Sequence, residues 1–240
     1  MDIKESDILG DKIGEHWYYI SKYRALKKLL QNHRFGTILD VGAGSGYFSK
    51  QLLKDGFATH VICVDTAYEK DWDEAVEGGV IQFRREVSEP QADLVLLMDV
   101  LEHVEDDVCL LKEYTSGLGE EAMVIVSVPA FQWLFSQHDK FLEHVRRYTK
   151  SGIKETVKSA NLFPTHTCFM FGIFFPLIAV RRLLDKLTVA GRSTAQSDLR
   201  IHSKLVNAAL IAIHKIEVLF FKMNGLFGLS IFCLARKSAD

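Results

Sequence analysis

Apolar residues in this chain fall into two patterns, short unbroken runs and longer stretches where they recur every three or four positions. Thr37–Val41, Thr59–Val64, Val80–Phe83, Ala92–Met98 and Val124–Pro129 are of the first kind, and they read as strands buried on both faces. Tyr47–Asp55 is of the second kind, with Phe48, Leu52 and Leu53 on one side and Gly56 as the stop. Strands that alternate with helical segments predict an α/β fold, a doubly wound, mostly parallel sheet with helices on both faces. Thr165–Phe171 and Leu229–Ala235 bring the expected strands to seven.

The composition narrows the class. At 240 residues, 48% hydrophobic, the chain can bury one substantial core, and a net charge of −2 gives no field that recruits nucleic acid. The four cysteines show no C-x-x-C pair, so buried free thiols in a reducing cytoplasm are expected rather than a zinc cage. Met1–Gly14 is charged and lacks the apolar core of a signal peptide, which points to the cytoplasm. Gly191–Asp198 is the one linker-like stretch.

Leu39–Ser49 joins the first strand to the first helix through Asp40 and glycines 42, 44 and 46, a G-x-G-x-G turn. The dinucleotide fingerprint sets its third glycine one residue later, and an acid before the turn repels a pyrophosphate. That acid suits a cationic or ammonium-bearing ligand. Asp65 follows Gly46 by 19 residues at the end of the second strand, where a carboxylate can accept hydrogen bonds from ribose hydroxyls.

The blocks LDVGAGSG, VD, LVLLMDVLEHV and VIVSVP occur in that order between Thr37 and Leu162. Together they resemble the class I S-adenosylmethionine-dependent methyltransferases. The resemblance implies that S-adenosyl-L-methionine is bound, with Asp40, Gly42, Ala43, Gly44 and Gly46 around its amino acid moiety and Asp65 and Thr66 at the ribose. Glu86 would flank the adenine, although many relatives carry Asp there and a solvated loop acid is the other reading. Asp99 and Val100 would line the pocket near the sulfonium. The last two strands would form an antiparallel pair at the sheet edge. Glu15–Arg24 resembles the aromatic, basic lid helix of bacterial members, with Tyr18 and Lys22 as its candidate contacts. The alternative is an amphipathic helix that covers the sheet.

Acceptor chemistry is expected after the fifth strand. Gln132, Trp133, Asp139, Arg146, Arg147 and Tyr148 lie in V-P-A-x-Q-W-L and H-x-R-R-Y-T strings, which resemble a bacterial subgroup associated with glycolipid, polysaccharide or lipid-linked substrates. One of the two arginines is expected to be structural. His103, His138 and His144 are candidate proton acceptors, with His16 in the lid. No H-E-x-x-H or comparable spacing is present, so no metal site is expected.

The expected division is a lid region over 1–35, a cofactor-binding core over 36–171, an apolar helical insertion over 172–228 and a last strand over 229–236, all in one domain. Within the insertion, Gly172–Val180 is far shorter than the ~20 residues a bilayer crossing needs, and Ile201–Met223 contains His214, Lys215 and Glu217. Lys204, Asn207, His214, Lys215 and Lys222 fall mostly on one side of the second segment. Two readings stay open. Residues 172–223 contact the inner membrane surface or wall a pocket for a lipid-linked acceptor, or they form a helical cap or homodimer interface over a soluble small molecule. The expected activity is methyl transfer to an oxygen of a small or lipid-linked acceptor, and the alternative outside enzymology is a non-catalytic scaffold on the same fold.

Overall fold

The computed structural model describes residues 8–88, 90–188, 197 and 200–237. Its eight strands are β1 (Thr37–Val41), β2 (His60–Val64), β3 (Trp72–Val76), β4 (Gly79–Arg84), β5 (Leu94–Met98), β6 (Met123–Pro129), β7 (Leu162–Met170) and β8 (Ser230–Lys237). They form one sheet in the order β3-β4-β2-β1-β5-β6-β8-β7. From β4 to β6 every neighbouring pair is parallel, with Val41 opposite both Val64 and Leu97. The β6·β8 and β7·β8 pairs are antiparallel, as the family resemblance implies.

The expected count of seven strands is corrected to eight. Trp72–Val76 forms an antiparallel hairpin with β4 at the outer edge. Its residues WDEAV are polar and mostly exposed, so neither a buried run nor a clean alternation marks it in the sequence. Two local features hold it there. The Trp72 and Phe83 rings stack at 4.2 Å, and Gly78 turns with φ +98°, where an added Cβ would lie 2.2 Å from the Leu53 carbonyl oxygen.

The helices are α1 (Trp17–Leu30), α2 (Tyr47–Lys54), α3 (Asp107–Thr115), α4 (Gln137–Phe141), α5 (Lys150–Ser159), α6 (Phe175–Thr188) and α7 (Lys204–Phe220). One core layer brings Tyr19, Leu26 and Leu30 of α1, Phe48 and Leu52 of α2 and Val218 of α7 against alternate strand residues such as Ile38 and Leu96. On the other face Leu111, Ile153 and Val157 pack on Leu39, Val95 and Leu97. Each such side chain contributes roughly 1.5–3 kcal/mol by leaving water. This two-sided burial is why β5 reads LVLLM without a polar break.

The insertion between β7 and β8 is helical, made of α6, α7 and a 3-10 turn over Phe221–Met223. The expected linker Gly191–Asp198 lies, Ser197 apart, outside the described residues, as does the start of Met1–Gly14. All four cysteines are free, but Cys109 is exposed on α3 where a buried thiol was expected. No helix among the described residues is long and apolar enough to cross a membrane.

Asp40 joins β1 to α2. Its side chain is sealed beneath the glycine turn and accepts a 2.7 Å hydrogen bond from the Ser49 hydroxyl. Burial pushes its carboxyl up to about 6, partly offset by that bond. A raised carboxyl favours the folded chain when protonated, so its contribution is full below about pH 4 and is lost as pH rises toward about 6. Asp40→Asn is therefore expected to gain on the wild type by up to about 3 kcal/mol between about pH 3 and about pH 8. Urea unfolding of both proteins across that range tests it, and a difference independent of pH would contradict the assignment.

Candidate functional site

The tips of the parallel strands carry several of the sequence-expected residues on one rim. After β1 the chain reverses through Gly42 (φ +63°), whose N–H donates to the Val64 carbonyl at 2.7 Å, with Ala43 bonding to the same oxygen at 3.2 Å. A Cβ on Gly42 would lie 2.7 Å from Val100 Cγ2, and one on Gly46 (φ +68°) would meet the Phe83 ring at 3.0 Å. Both positions thus combine a left-handed backbone with close packing that excludes a side chain.

Asp65, just past β2, faces this turn. Its carboxylate accepts the Gly44 N–H at 2.9 Å and the Ala67 N–H at 3.0 Å. Tyr68 donates its hydroxyl to the Gly44 carbonyl at 2.7 Å. Beside them opens a cavity of about 590 Å³ lined by Gly44, Ser45, Ala67, Tyr68 and Trp72 among others. It lies on the outer side of the turn and shares only Gly44 with the expected cofactor residues. Thr66 and Glu86 are exposed on the same edge.

Asp99 ends β5 with φ +58°. Lys22 of α1, fully buried, forms an ion pair with its carboxylate and donates to the Tyr18 hydroxyl at 3.1 Å. Ser127 donates to the other Asp99 oxygen at 3.2 Å. Burial raises the Asp99 carboxyl, but the Lys22 charge and hydrogen bond outweigh it and bring the group below the usual range. Helix α1 therefore crosses the strand tips with the two candidate lid residues on Asp99.

The insertion packs on α1. His214 of α7 is buried, stacks on Trp17 at 5.1 Å and bonds Glu217 at 2.6 Å through Nδ1, while Glu217 accepts the Gly172 N–H at 2.6 Å. Its expected place on the basic side of α7 is corrected, because a hydrogen bond and an aromatic stack hold the ring inside. Phe174 and Phe175 likewise pack inward, on His214 and on Phe131 and Trp133. The exposed apolar residues are instead Ile173, Leu177, Val180 and Leu184 on α6 and its approach, and Leu205, Ile216, Leu219 and Phe220 on α7.

On the acceptor side the geometry redistributes the expected residues. Asp139, with no exposed surface, accepts from His144 Nδ1 at 3.0 Å and from Arg147 Nε at 2.7 Å, and Arg182 of α6 lies 3.4 Å away. It also completes a capping box with Ser136. Burial alone would raise its carboxyl, but these partners hold it well below the carboxylate range. Asp139 and Arg147 are thus internal supports of the 130–148 loop rather than groups facing a substrate. Tyr148 is corrected in the same way, since its buried hydroxyl donates to Asp107 at 2.7 Å. Arg146 reaches Glu105 and Asp107 from the rim, and Gln132 accepts the Arg147 N–H at 2.8 Å. Trp133 remains 40% exposed.

The three candidate histidines part company. His138 is half-buried in α4. His103 and His144 meet edge to face at 4.7 Å, and burial, then His144, pushes His103 down to about 4. Beside them lies Glu102, which the sequence did not single out. Its side chain is buried, and neither carboxylate oxygen has a hydrogen-bond partner. Burial and then the Asp99 charge raise its carboxyl well above the usual range. The only sequence signal for it was an acid between Asp99 and His103.

The curated proteins include no sequence match to the chain. In fold it is similar to a chain in the complex of the Haloferax volcanii Trm112 methyltransferase activator with a candidate methyltransferase, at TM-score 0.56 and 14% identity, covering 99% of this chain and 96% of that one. It is similar at TM-score 0.56 and 16% identity to Haemonchus contortus phosphoethanolamine N-methyltransferase 2, solved with phosphomonomethylethanolamine and S-adenosylhomocysteine, over 98% of this chain and 56% of that one. The [4+2]-cyclase SpnF also shares the fold, at TM-score 0.52 and 13% identity over 92% and 80% of the two chains. The family model described as a methyltransferase domain matches residues 16–167, and the chain belongs to that family.

Proposed function

We propose that the protein transfers a methyl group from S-adenosyl-L-methionine to an oxygen of a hydrophobic or lipid-linked acceptor. The observation that carries the reading is the rim on which Asp65, the 42–46 turn and Asp99 stand together, in a chain of the methyltransferase-domain family. The residues present suit an adenosyl sulfonium compound. Gly42 and Gly46 leave backbone rather than side chain at the turn, Asp65 offers lone pairs for ribose hydroxyls, and Asp99 is an anion beside the place for a cationic sulfur.

That donor supplies an activated methyl group on positively charged sulfur. The chain's own part is alignment, which contributes on the order of 7–11 kcal/mol when reacting atoms are held in line. In this reading the turn holds the amino acid moiety with Asp40 beneath it, Asp65 and Thr66 hold the ribose, Glu86 flanks the adenine, and Val100 packs against the turn beside Asp99. Lys22 and Tyr18 close the pocket from above, and Lys22 has a cofactor carboxylate as an alternative partner to Asp99. Trp133, Gln132 and Arg146 remain as acceptor contacts on the rim. His103, neutral and weakly basic at about 4, is a poor proton acceptor at neutral pH, which leaves His138 and His144 as the candidate bases.

The acceptor class rests on the insertion. Ile173, Leu177, Val180 and Leu184 follow i, i+4, i+7 and i+11 and stay exposed, with Leu177 at 69% and Leu205 of α7 at 85%. Such a stripe beside Arg181 and Lys215 suits an anionic lipid surface at the inner face of the membrane.

Three outcomes are expected. In calorimetric titration with S-adenosylhomocysteine, Asp65→Ala weakens binding at least about tenfold, the loss expected when hydrogen bonds to a carboxylate are removed. Unchanged affinity would overturn the ribose assignment. Incubated with radiolabelled donor and a fractionated cell lysate, the protein carries label into the organic-solvent phase. Label confined to aqueous small molecules or macromolecules would refute a lipid acceptor, and no transfer at all would favour a different chemistry on this fold, as in SpnF. Wild-type protein co-sediments with anionic vesicles, and Leu177→Ser with Leu205→Ser releases it. A wild type that stays in the supernatant as a dimer would instead favour the cap reading.

A further inference from the structure

The buried Glu102 calls for an explanation that the methyl-transfer reading does not give. A carboxylate taken out of water needs an ion pair, a set of hydrogen bonds or a metal ion. Glu102 is 1% exposed, both of its oxygens lack a hydrogen-bond partner, and it enters no ion pair found among the described residues. Its backbone is well used, since its carbonyl accepts the Val145 N–H at 2.8 Å. That bond ties the 3-10 turn Leu101–His103 to the loop that carries His144, so two segments 41 residues apart are locked together beside the β5 tip. One potential ligand atom from each of Glu102, His103 and His144 lies within 4.8 Å of the other two.

The two imidazoles are oriented from outside the cluster. His144 Nδ1 is 3.0 Å from Asp139, which is paired with Arg147 and Arg182 and can only accept. Nδ1 is thereby the nitrogen that faces the acid, and Nε2 is the one left to act as a ligand. His103 is hydrogen-bonded to the Leu142 carbonyl, and that acceptor likewise fixes one ring N–H and leaves the other nitrogen as a lone pair. A carboxylate or carbonyl behind each imidazole is the arrangement that orients metal-ligating histidines in general. Two imidazoles oriented in this way beside a buried carboxyl with no hydrogen-bond partner make a donor set that a bound cation would complete.

We propose that Glu102, His103 and His144 form a binding site for a divalent first-row transition cation. Two imidazole nitrogens and one carboxylate oxygen suit Zn2+ or Mn2+ and disfavour Ca2+ and Mg2+, which take oxygen ligands. Three protein ligands leave at least one coordination position for a water or an oxygen of a bound molecule. The spacing escapes sequence inspection because the third ligand comes from a different loop, so no short motif of the H-E-x-x-H kind contains it. The site is a property of these side chains alone and does not rest on the methyl-transfer reading.

The full chain, stripped with a chelator, is titrated with Zn2+ and with Mn2+ in the absence of any methyl donor. Saturable binding of one equivalent is expected, together with a rise in Tm and, with Co2+ as probe, ligand-field absorption in the visible. Mg2+ does not compete. Glu102→Gln, nearly the same shape, and His144→Ala each weaken binding at least about tenfold. Melting in chelator reports whether each variant folds, and if one does not, the other reads the same site. No saturable binding by the wild type, or wild-type affinity in both folded variants, would overturn the proposal. S-adenosylhomocysteine titration of the same samples reports the cofactor pocket separately.

Discussion

Lys22 and Asp99 impose the main geometric constraint on the strand-tip region. An ammonium with no exposed surface at the inner face of α1 is tolerable only against a carboxylate, and Asp99 at the end of β5 is the partner it finds. Removing one member of such a pair typically costs about 3–5 kcal/mol, because the other charge stays buried and unpaired. The pair fixes where α1 crosses the sheet. One helical turn earlier, Tyr18 stacks on Phe171 and Trp17 stacks on His214, so the position of α7 follows from the position of α1. The left-handed backbone at Asp99 belongs to the same constraint, since it aims the carboxylate back toward the helix.

A second buried charge organises the other half of the rim. Asp139 binds His144, Arg147 and the α6 residue Arg182, so the loop after β6 is tied both to itself and to the insertion. A loop of this composition reads from sequence as a substrate surface, because polar residues after a central strand of a parallel sheet are where ligands bind. Here that polarity is consumed internally. Trp133 and the rim arginine Arg146 keep surface, and the interior acid serves the imidazole beside it.

What the sequence made legible follows from where each residue's partners lie. Strands buried on both faces announce themselves, and β1, β2, β5 and β6 were all readable from runs of apolar residues. The glycine turn and the place of Asp65 against it were readable because both depend on local chain geometry and short spacing. β3 was not, because an exposed edge strand carries no apolar pattern and is held by a ring stack and a tight turn. His214 and Glu102 were misread or missed for a shared reason. Each is defined by burial against groups far away in sequence, and His214 was grouped with the basic side of α7 only while that helix was considered without α1, on which it packs.

The two faces of α7 also have different physical consequences. Its inner face is committed, with His214 wedged between Trp17 and Phe171 and Glu217 anchoring the Gly172 N–H at the end of β7. Its outer face, from Leu205 to Phe220, buries little and so contributes little to the stability of the single chain. The inner face also meets α1 on either side of that stack, since Asn207 accepts the Trp17 N–H at 2.9 Å and the Ile211 carbonyl accepts from Arg24 at 3.3 Å, so α1 and α7 hold each other in place one turn from the Lys22–Asp99 pair.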